Sequence, residues 1–105
     1  MVNMEELYLK CLASEKIFVD TETSGLDWLK CDLKGVGLCN LTSDRESTWA
    51  QWVPGDEFKE YSYVFEDVFE KKPIVMHNAK FDMHVLARHI DNKVLENMKV
   101  IDTMI

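Results

Sequence analysis

The chain has 105 residues, with 12 basic and 19 acidic side chains and a formal net charge of −7. Apolar residues make up 47% of the chain and charged residues 30%, which is typical of one globular domain and excludes a disordered chain. No apolar run is long enough for a membrane span, and no signal peptide is recognisable. The acidic balance argues against a protein that binds nucleic acid by bulk charge. Three cysteines without a Cys-x-x-Cys pair favour a reducing, cytoplasmic compartment.

Apolar spacing and turn residues predict eight elements in chain order. We predict a helix over residues 5–13, strands over 16–21, 33–41 and 47–53, a helix over 56–70 with Asp56 as its cap, a strand over 74–76, a helix over 79–90 capped by Asn78, and a strand at 100–101. Short turns between the first three strands favour an antiparallel meander, whereas later strands alternate with helices and favour parallel crossovers. The sequence therefore predicts an α/β fold in which helices flank a mixed sheet.

Two carboxylates stand two residues apart at the end of the first predicted strand. Asp20 and Glu22 share one face of that strand, because successive side chains alternate between its faces. Like charges at the edge of a core repel, so the pair needs a cation or a proton, and its oxygen ligands suit Mg²⁺ or Mn²⁺. Taken alone, the pair fits a solvated strand end better, since Ser24 and Gly25 follow as a turn.

A third acid, Asp82, lies in the first turn of the helix that is predicted to follow Asn78. It comes just after the strand over residues 74–76, and functional sites in open sheets gather at the carboxyl ends of such strands. If this strand neighbours the one that ends at Asp20 and Glu22, the three carboxylates converge. Three carboxylates around two divalent ions roughly 3.5–4 Å apart fit an in-line displacement at phosphorus.

Two segments resemble the motifs of a known nuclease family. Residues 18–27, Phe-Val-Asp-Thr-Glu-Thr-Ser-Gly-Leu-Asp, are similar to the first motif of the DEDD 3′–5′ exonucleases, and residues 77–82, His-Asn-Ala-Lys-Phe-Asp, to their second. The spacing, residues 35–38 (Gly-Val-Gly-Leu) and residues 101–104 (Ile-Asp-Thr-Met) resemble the proofreading domain of DNA polymerase I, of polymerase family A. The resemblance implies a ribonuclease H-like fold and two-metal hydrolysis of the 3′-terminal phosphodiester of DNA.

The resemblance also implies the metal ligands and catalytic residues. Asp20 would bridge two Mg²⁺ or Mn²⁺ ions, and Glu22 would bind the ion that activates the attacking water. Asp82 would support the second ion through water. These three carboxylates are therefore the expected catalytic set.

Four further residues are candidates for contact with the substrate. By resemblance, Leu26 would pack against the terminal base and Thr23 would contact the terminal nucleotide. Asn78 would cap its helix and hold Asp82 in place. Trp28, in a polar loop, is the better candidate for stacking on a base. The two other tryptophans are expected to be wholly or partly buried: Trp49 and Trp52.

The family carries a third motif, with a Tyr or His that orients the attacking water and a fourth acidic ligand, and residues 1–105 contain no match to it. Asp102 matches a strand end and is not taken as that ligand. We therefore expect residues 1–105 to be a partial, C-terminally incomplete exonuclease domain, weak or inactive by itself, of bacterial or phage type. Its expected partners are a single-stranded DNA 3′ end, a polymerase or a missing C-terminal part, and a second copy bound through apolar residues near the end of the sequence, namely Val100, Ile101, Met104 and Ile105.

Two alternatives stay open at this stage. One is a non-catalytic remnant that binds nucleic acid or a replication partner. The other is a proofreading exonuclease of the polymerase III epsilon type, which shares both motifs. The third motif usually discriminates between these subclasses, so the assignment to the polymerase I type rests on spacing.

Overall fold

The computed structural model describes residues 1–27, 30–42 and 46–103, which form five helices and five strands. In chain order these are α1 (Met4–Leu12), β1 (Lys16–Thr23), β2 (Leu33–Leu41), β3 (Ala50–Pro54), α2 (Gly55–Glu60), α3 (Ser62–Lys71), β4 (Ile74–Met76), α4 (Ala79–Leu86), α5 (Asn92–Asn97) and β5 (Val100–Asp102). Among these residues no helix has the length and apolar character that a membrane crossing requires.

The strands form one mixed sheet in the order β3-β2-β1-β4-β5. β1 pairs with β2 and β2 with β3 in antiparallel fashion, whereas β1 with β4 and β4 with β5 are parallel. The antiparallel strands follow one another in the chain, α2 and α3 lead from β3 back to β4 beside β1, and α4 and α5 form the helical crossover between the parallel strands β4 and β5. The predicted α/β architecture with a mixed sheet is confirmed.

The hydrophobic core lies against one face of this sheet. Its strand residues alternate along the chain, as strand geometry requires: Ile17, Val19, Val36, Leu38, Ile74 and Met76. All five helices contribute buried side chains to the same core, the largest being Phe58, Phe65, Phe69 and Leu86. The intervening strand residues, among them Asp20 and Glu22, therefore point to the other face.

The single helix predicted over residues 56–70 is wrong, because the chain bends at Tyr61 between α2 and α3. The bend lets the rings of Phe58 and Phe65 stack with their centroids 4.6 Å apart. Asp56 is not the cap, since α2 begins at Gly55 and Asp56 lies in its first turn. The acidic side chain still faces the positive end of the helix dipole there.

Other boundaries also differ from the prediction. α4 ends at Leu86, and a separate helix, α5, follows with the Asp91 side chain accepting a hydrogen bond from the Lys93 backbone N–H at 2.8 Å. β3 begins at Ala50 rather than residue 47, because the Asn40 side chain captures the backbone N–H groups of residues 48 and 49. β1 runs two residues further than predicted, to Thr23.

We predict that Gly55→Ala destabilises the fold, because a Cβ at Gly55 would lie 2.1 Å from the Leu33 carbonyl oxygen. That neighbour is backbone, so β2 and α2 must separate, at a cost of about 1–3 kcal/mol. The melting temperature should fall by about 4–8 °C per kcal/mol. Gly25→Ala is the matched control, since a Cβ there meets nothing within 4 Å. Equal melting temperatures for the two variants would contradict this packing.

Candidate active site

The Asp20 and Glu22 carboxylates meet on the exposed face of β1, near its carboxyl end. Asp20 lies opposite Gly37 and Glu22 opposite Gly35 in the pairing with β2, so no Cβ from β2 crowds the pair. A hydrogen bond with Asp20 raises the pKa of Glu22, and repulsion from the Asp20 charge adds to the effect, while Lys34 opposes it. The two negative charges therefore oppose each other at this strand end, and a cation bound between them would relieve the repulsion.

Asp82 occupies a different environment, inside the protein. Only 4% of its surface is exposed, and its Oδ1 accepts a hydrogen bond from the Thr21 hydroxyl. Burial raises the pKa of Asp82, and the negative charges of Glu22 and Asp102 raise it further, whereas the hydrogen bonds from Thr21 lower it. Asp82 is thus a buried acid held by one hydroxyl and repelled by two neighbouring carboxylates.

Thr21 is the residue that sequence reasoning missed. It stands between Asp20 and Glu22 in the chain, so it points to the opposite face of β1 and reaches Asp82 from the core side. The alternation of side chains along β1 indicates that Thr21 is buried. A buried threonine needs a partner for its hydroxyl group, so the sequence offered a reason to look for one.

The parallel pairing of β1 with β4 brings the predicted residues to one edge of the sheet. Ile17 lies opposite Ile74 and Phe18 opposite Val75, so both strands end near the start of α4. The arrangement unites Asp20 with Glu22 and places Asp82 within reach of the Glu22 charge. It does not gather all three around one point. In the described ranges no three His, Cys, Asp or Glu side chains are arranged to hold a metal ion.

The loop after β1 carries two predicted substrate residues. The Thr23 hydroxyl donates to the Gly25 carbonyl oxygen at 2.7 Å, and the backbone of Ser24 pairs with Asp32 to close the base of the loop. Leu26 stands out at the tip with 93% of its surface exposed. Leu26 is thus exposed to solvent in a loop whose base is closed by hydrogen bonds. Trp28, the predicted stacking residue, lies outside the described residues.

Asn78 occupies the N-cap position of α4, but its side chain makes no cap hydrogen bond. Asn78 therefore has the predicted N-cap position, although its side chain does not supply the capping hydrogen bond. Its backbone carbonyl accepts from the Asp82 N–H at 3.1 Å, the ordinary first bond of the helix. The Asp82 carboxylate is oriented instead by Thr21. Asn78 is exposed beside this helix start.

We predict that Asp82→Asn stabilises the protein at neutral pH in the presence of a chelator. The folded carboxyl binds its proton more tightly than the unfolded one, so its contribution to stability is lost as the pH rises through the raised pKa. The amide keeps an acceptor for Thr21 and carries no charge. Thermal melts should show the variant gaining on the wild type as the pH rises above about 4, the ordinary value of an aspartate.

The control for this experiment is Glu60→Gln, which removes one charge from an exposed helix position. A melting difference between Asp82→Asn and wild type that stays constant across the pH range would contradict the burial of a charged Asp82. Such a constant difference would mean that the substitution acts on packing alone.

Solved structures share this fold. RNase D of Trypanosoma brucei, in complex with RNA U12, superposes with a TM-score of 0.69 at 13% identity, over 94% of this chain and 34% of that one. Exonuclease I of E. coli, in complex with a dT13 oligonucleotide, gives 0.61 at 14% identity, over 85% and 28%. NrnC of Brucella melitensis with bound Mg²⁺ gives 0.52 at 18% identity, over 78% and 39%. The expected ribonuclease H-like exonuclease fold is confirmed.

Two sequence comparisons go further than the fold. DNA polymerase DpoZ of Salmonella phage PMBT28 is 29% identical over 84 residues, which is 77% of this chain and 13% of that protein. The chain thus spans about an eighth of the curated relative that it matches. The family model for the 3′–5′ exonuclease domain of family A DNA polymerases matches residues 2–105. The chain belongs to this 3′–5′ exonuclease family.

Proposed function

We propose that this chain forms the metal-binding edge of a 3′–5′ exonuclease that hydrolyses the 3′-terminal phosphodiester of DNA. The observation that carries the proposal is the closeness of the Asp20 and Glu22 carboxylates at a strand end, where Asp20 raises the pKa of Glu22, in a chain of the exonuclease family. A phage DNA polymerase among its relatives favours DNA as the substrate and a polymerase as the partner. Neighbours of the same fold bound to RNA U12 and dT13 support a single-stranded substrate.

The donors at this edge fit a divalent cation. Asp20 and Glu22 supply hard carboxylate oxygens that repel each other until a proton or a cation lies between them. NrnC, which has the same fold, holds Mg²⁺. Mg²⁺ or Mn²⁺ bound here would generate the attacking hydroxide and neutralise the leaving oxygen.

The protein's own residues then have separate tasks. Asp20 and Glu22 hold the cations on the open face of β1. Asp82, across the strand, adds negative charge to the same edge, and Thr21 sets the direction of its carboxylate. Turning Asp82 from Thr21 towards Glu22 would complete a three-carboxylate set.

The loop after β1 and the start of α4 would contact the substrate. The exposed Leu26 offers an apolar surface for the terminal base, and Thr23 and Asn78 offer polar groups for the nucleotide. Trp28 remains a candidate for stacking. Together these groups would position the 3′ end beside the carboxylates, which is where placement contributes most to phosphoryl transfer.

A non-catalytic role in binding nucleic acid is the second candidate. It is favoured by the direction of Asp82, which faces Thr21 and does not form a metal cluster with Asp20 and Glu22 in the described part of the chain. The polymerase III epsilon type is less favoured, because the matching family model is that of family A polymerases.

We predict that Mn²⁺ raises the melting temperature of the wild type and that Asp20→Asn removes most of the rise. Binding to the folded state alone contributes about 1.4 kcal/mol when Mn²⁺ is ten times its dissociation constant. Asp56→Asn, at an exposed carboxylate on α2, is the matched control and should keep the full shift. Equal shifts in wild type and Asp20→Asn would contradict the site.

We also predict slow release of 3′-terminal mononucleotides from a single-stranded oligodeoxynucleotide in Mn²⁺. The double variant Asp20→Asn/Glu22→Gln should lower the single-turnover rate by about two orders of magnitude or more, since it removes both expected cation ligands. Internal cuts, cutting from the 5′ end or an unchanged rate in the variant would contradict the exonuclease proposal. Oligonucleotide binding without any cleavage would favour the non-catalytic candidate.

A further inference from the structure

A small open cleft lies where α1 packs against α3. It has a volume of about 280 Å³ and is lined by Tyr8, Tyr63, Val64 and Asp67. Tyr63 is 64% exposed, and its ring centroid lies 6.1 Å from that of Tyr61, so the aromatic surface continues beyond the cleft. The lining thus combines two phenol rings with one carboxylate.

The chain's own Lys71 shows which chemistry this cleft recognises. The Lys71 Nζ lies 2.9 Å from the Asp67 Oδ2, donates to the Tyr8 hydroxyl at 3.2 Å and stands 5.8 Å from the centroid of the Tyr8 ring. The hydrogen bonds from Tyr8 and Lys71 lower the pKa of Asp67, so this carboxylate is charged at neutral pH. A carboxylate beside an aromatic ring is the combination that binds organic cations.

Lys71 fills this site only weakly. The Lys71 side chain is 51% exposed and that of Asp67 37%, and ion pairs as exposed as this one are easily displaced. Lys71 and Tyr8 both bind the same oxygen, Oδ2, and no donor among the described residues binds the Asp67 Oδ1. A guanidinium can donate to both carboxylate oxygens at once and stack on a tyrosine ring. Arginine is therefore the side chain that fits the cleft better than Lys71 does.

The charge around the cleft favours a basic partner. The two helices carry five acidic and two basic side chains: Glu5, Glu6, Lys10, Glu66, Asp67, Glu70 and Lys71. A positively charged segment is attracted to such a surface, whereas a nucleic acid is repelled. A second copy of the chain would bring a net charge of −7 and is repelled as well.

We propose that the cleft between α1 and α3 binds an arginine side chain from a basic segment of another protein. The helices that form the cleft bury their apolar side chains against the core face of the sheet, whereas Asp20 and Glu22 lie on the opposite face. A partner in the cleft would therefore not compete with a ligand at the strand end. The proposal does not rest on the exonuclease activity.

The experiment titrates the protein with a short blocked peptide that has a single arginine among glycines and serines, and follows the Tyr8 and Tyr63 ring resonances by NMR. The matched probe has citrulline in place of arginine, which keeps the size and removes the charge. We expect saturable shifts with the arginine peptide and binding about tenfold weaker with the citrulline peptide. No saturable shift at either ring, or equal affinity for the two peptides, would overturn the proposal.

Variants separate the cleft from general attraction to an acidic protein. Asp67→Asn should weaken binding of the arginine peptide about tenfold, while its amide oxygen still accepts from Tyr8 and keeps the two helices together. Glu96→Gln, at an exposed carboxylate on α5, is the matched control and should leave the affinity unchanged. Lys71→Met should tighten binding about threefold, because it removes the competing lysine.

Unchanged affinity in Asp67→Asn, or weaker binding in Lys71→Met, would overturn the proposal. Shifts of the same ring resonances on raising the protein concentration alone would overturn it in favour of a second copy. Such shifts with oligo-dT alone would overturn it in favour of a nucleic acid.

Discussion

The parallel pairing of β1 with β4 is the contact on which the site depends. It sets Ile17 opposite Ile74 and brings the start of α4 to the end of β1. Strand side chains alternate between the two faces of the sheet. In this register Thr21 faces Asp82, whereas Asp20 and Glu22 lie on the exposed face of β1. A shift of one residue would exchange these roles and place carboxylates in the core. The apolar residues of β1 and β4 fix this register. The register in turn decides on which face of the sheet each carboxylate at the strand end lies.

The charge distribution at this edge opposes the stability of the folded chain. Burial and neighbouring carboxylates raise the pKa of Asp82, and Asp20 raises that of Glu22. Charged groups whose electrostatic interactions oppose folding are often found together at functional sites. A divalent cation at the Asp20–Glu22 pair would remove part of this repulsion, so metal binding and folding are expected to be linked. Such a cation would also let a chain with a net charge of −7 contact a phosphate backbone.

Local pattern was sufficient for the strands, the mixed sheet and the meeting of two strand ends, because apolar runs and turn residues are visible along the chain. The local pattern does not predict which distant segment supplies the hydrogen-bond or stacking partner of a side chain. Asparagine is a common N-cap residue, but the Asn78 side chain makes no cap hydrogen bond. The Asp82 carboxylate is oriented by Thr21, which lies 61 residues away in sequence. The bend at Tyr61 depends on how Phe58 and Phe65 stack, which periodicity does not reveal. The Asp91 side chain caps α5, and its capping signal is visible in the sequence.

A crystal structure of the wild-type chain with Mn²⁺, with anomalous scattering collected for manganese, would show whether the strand-end carboxylates of this member of the 3′–5′ exonuclease family bind divalent cations. We expect an anomalous peak in contact with both the Asp20 and the Glu22 carboxylate, on the exposed face of β1. Manganese at other carboxylates and none at Asp20 and Glu22 would contradict the proposed site.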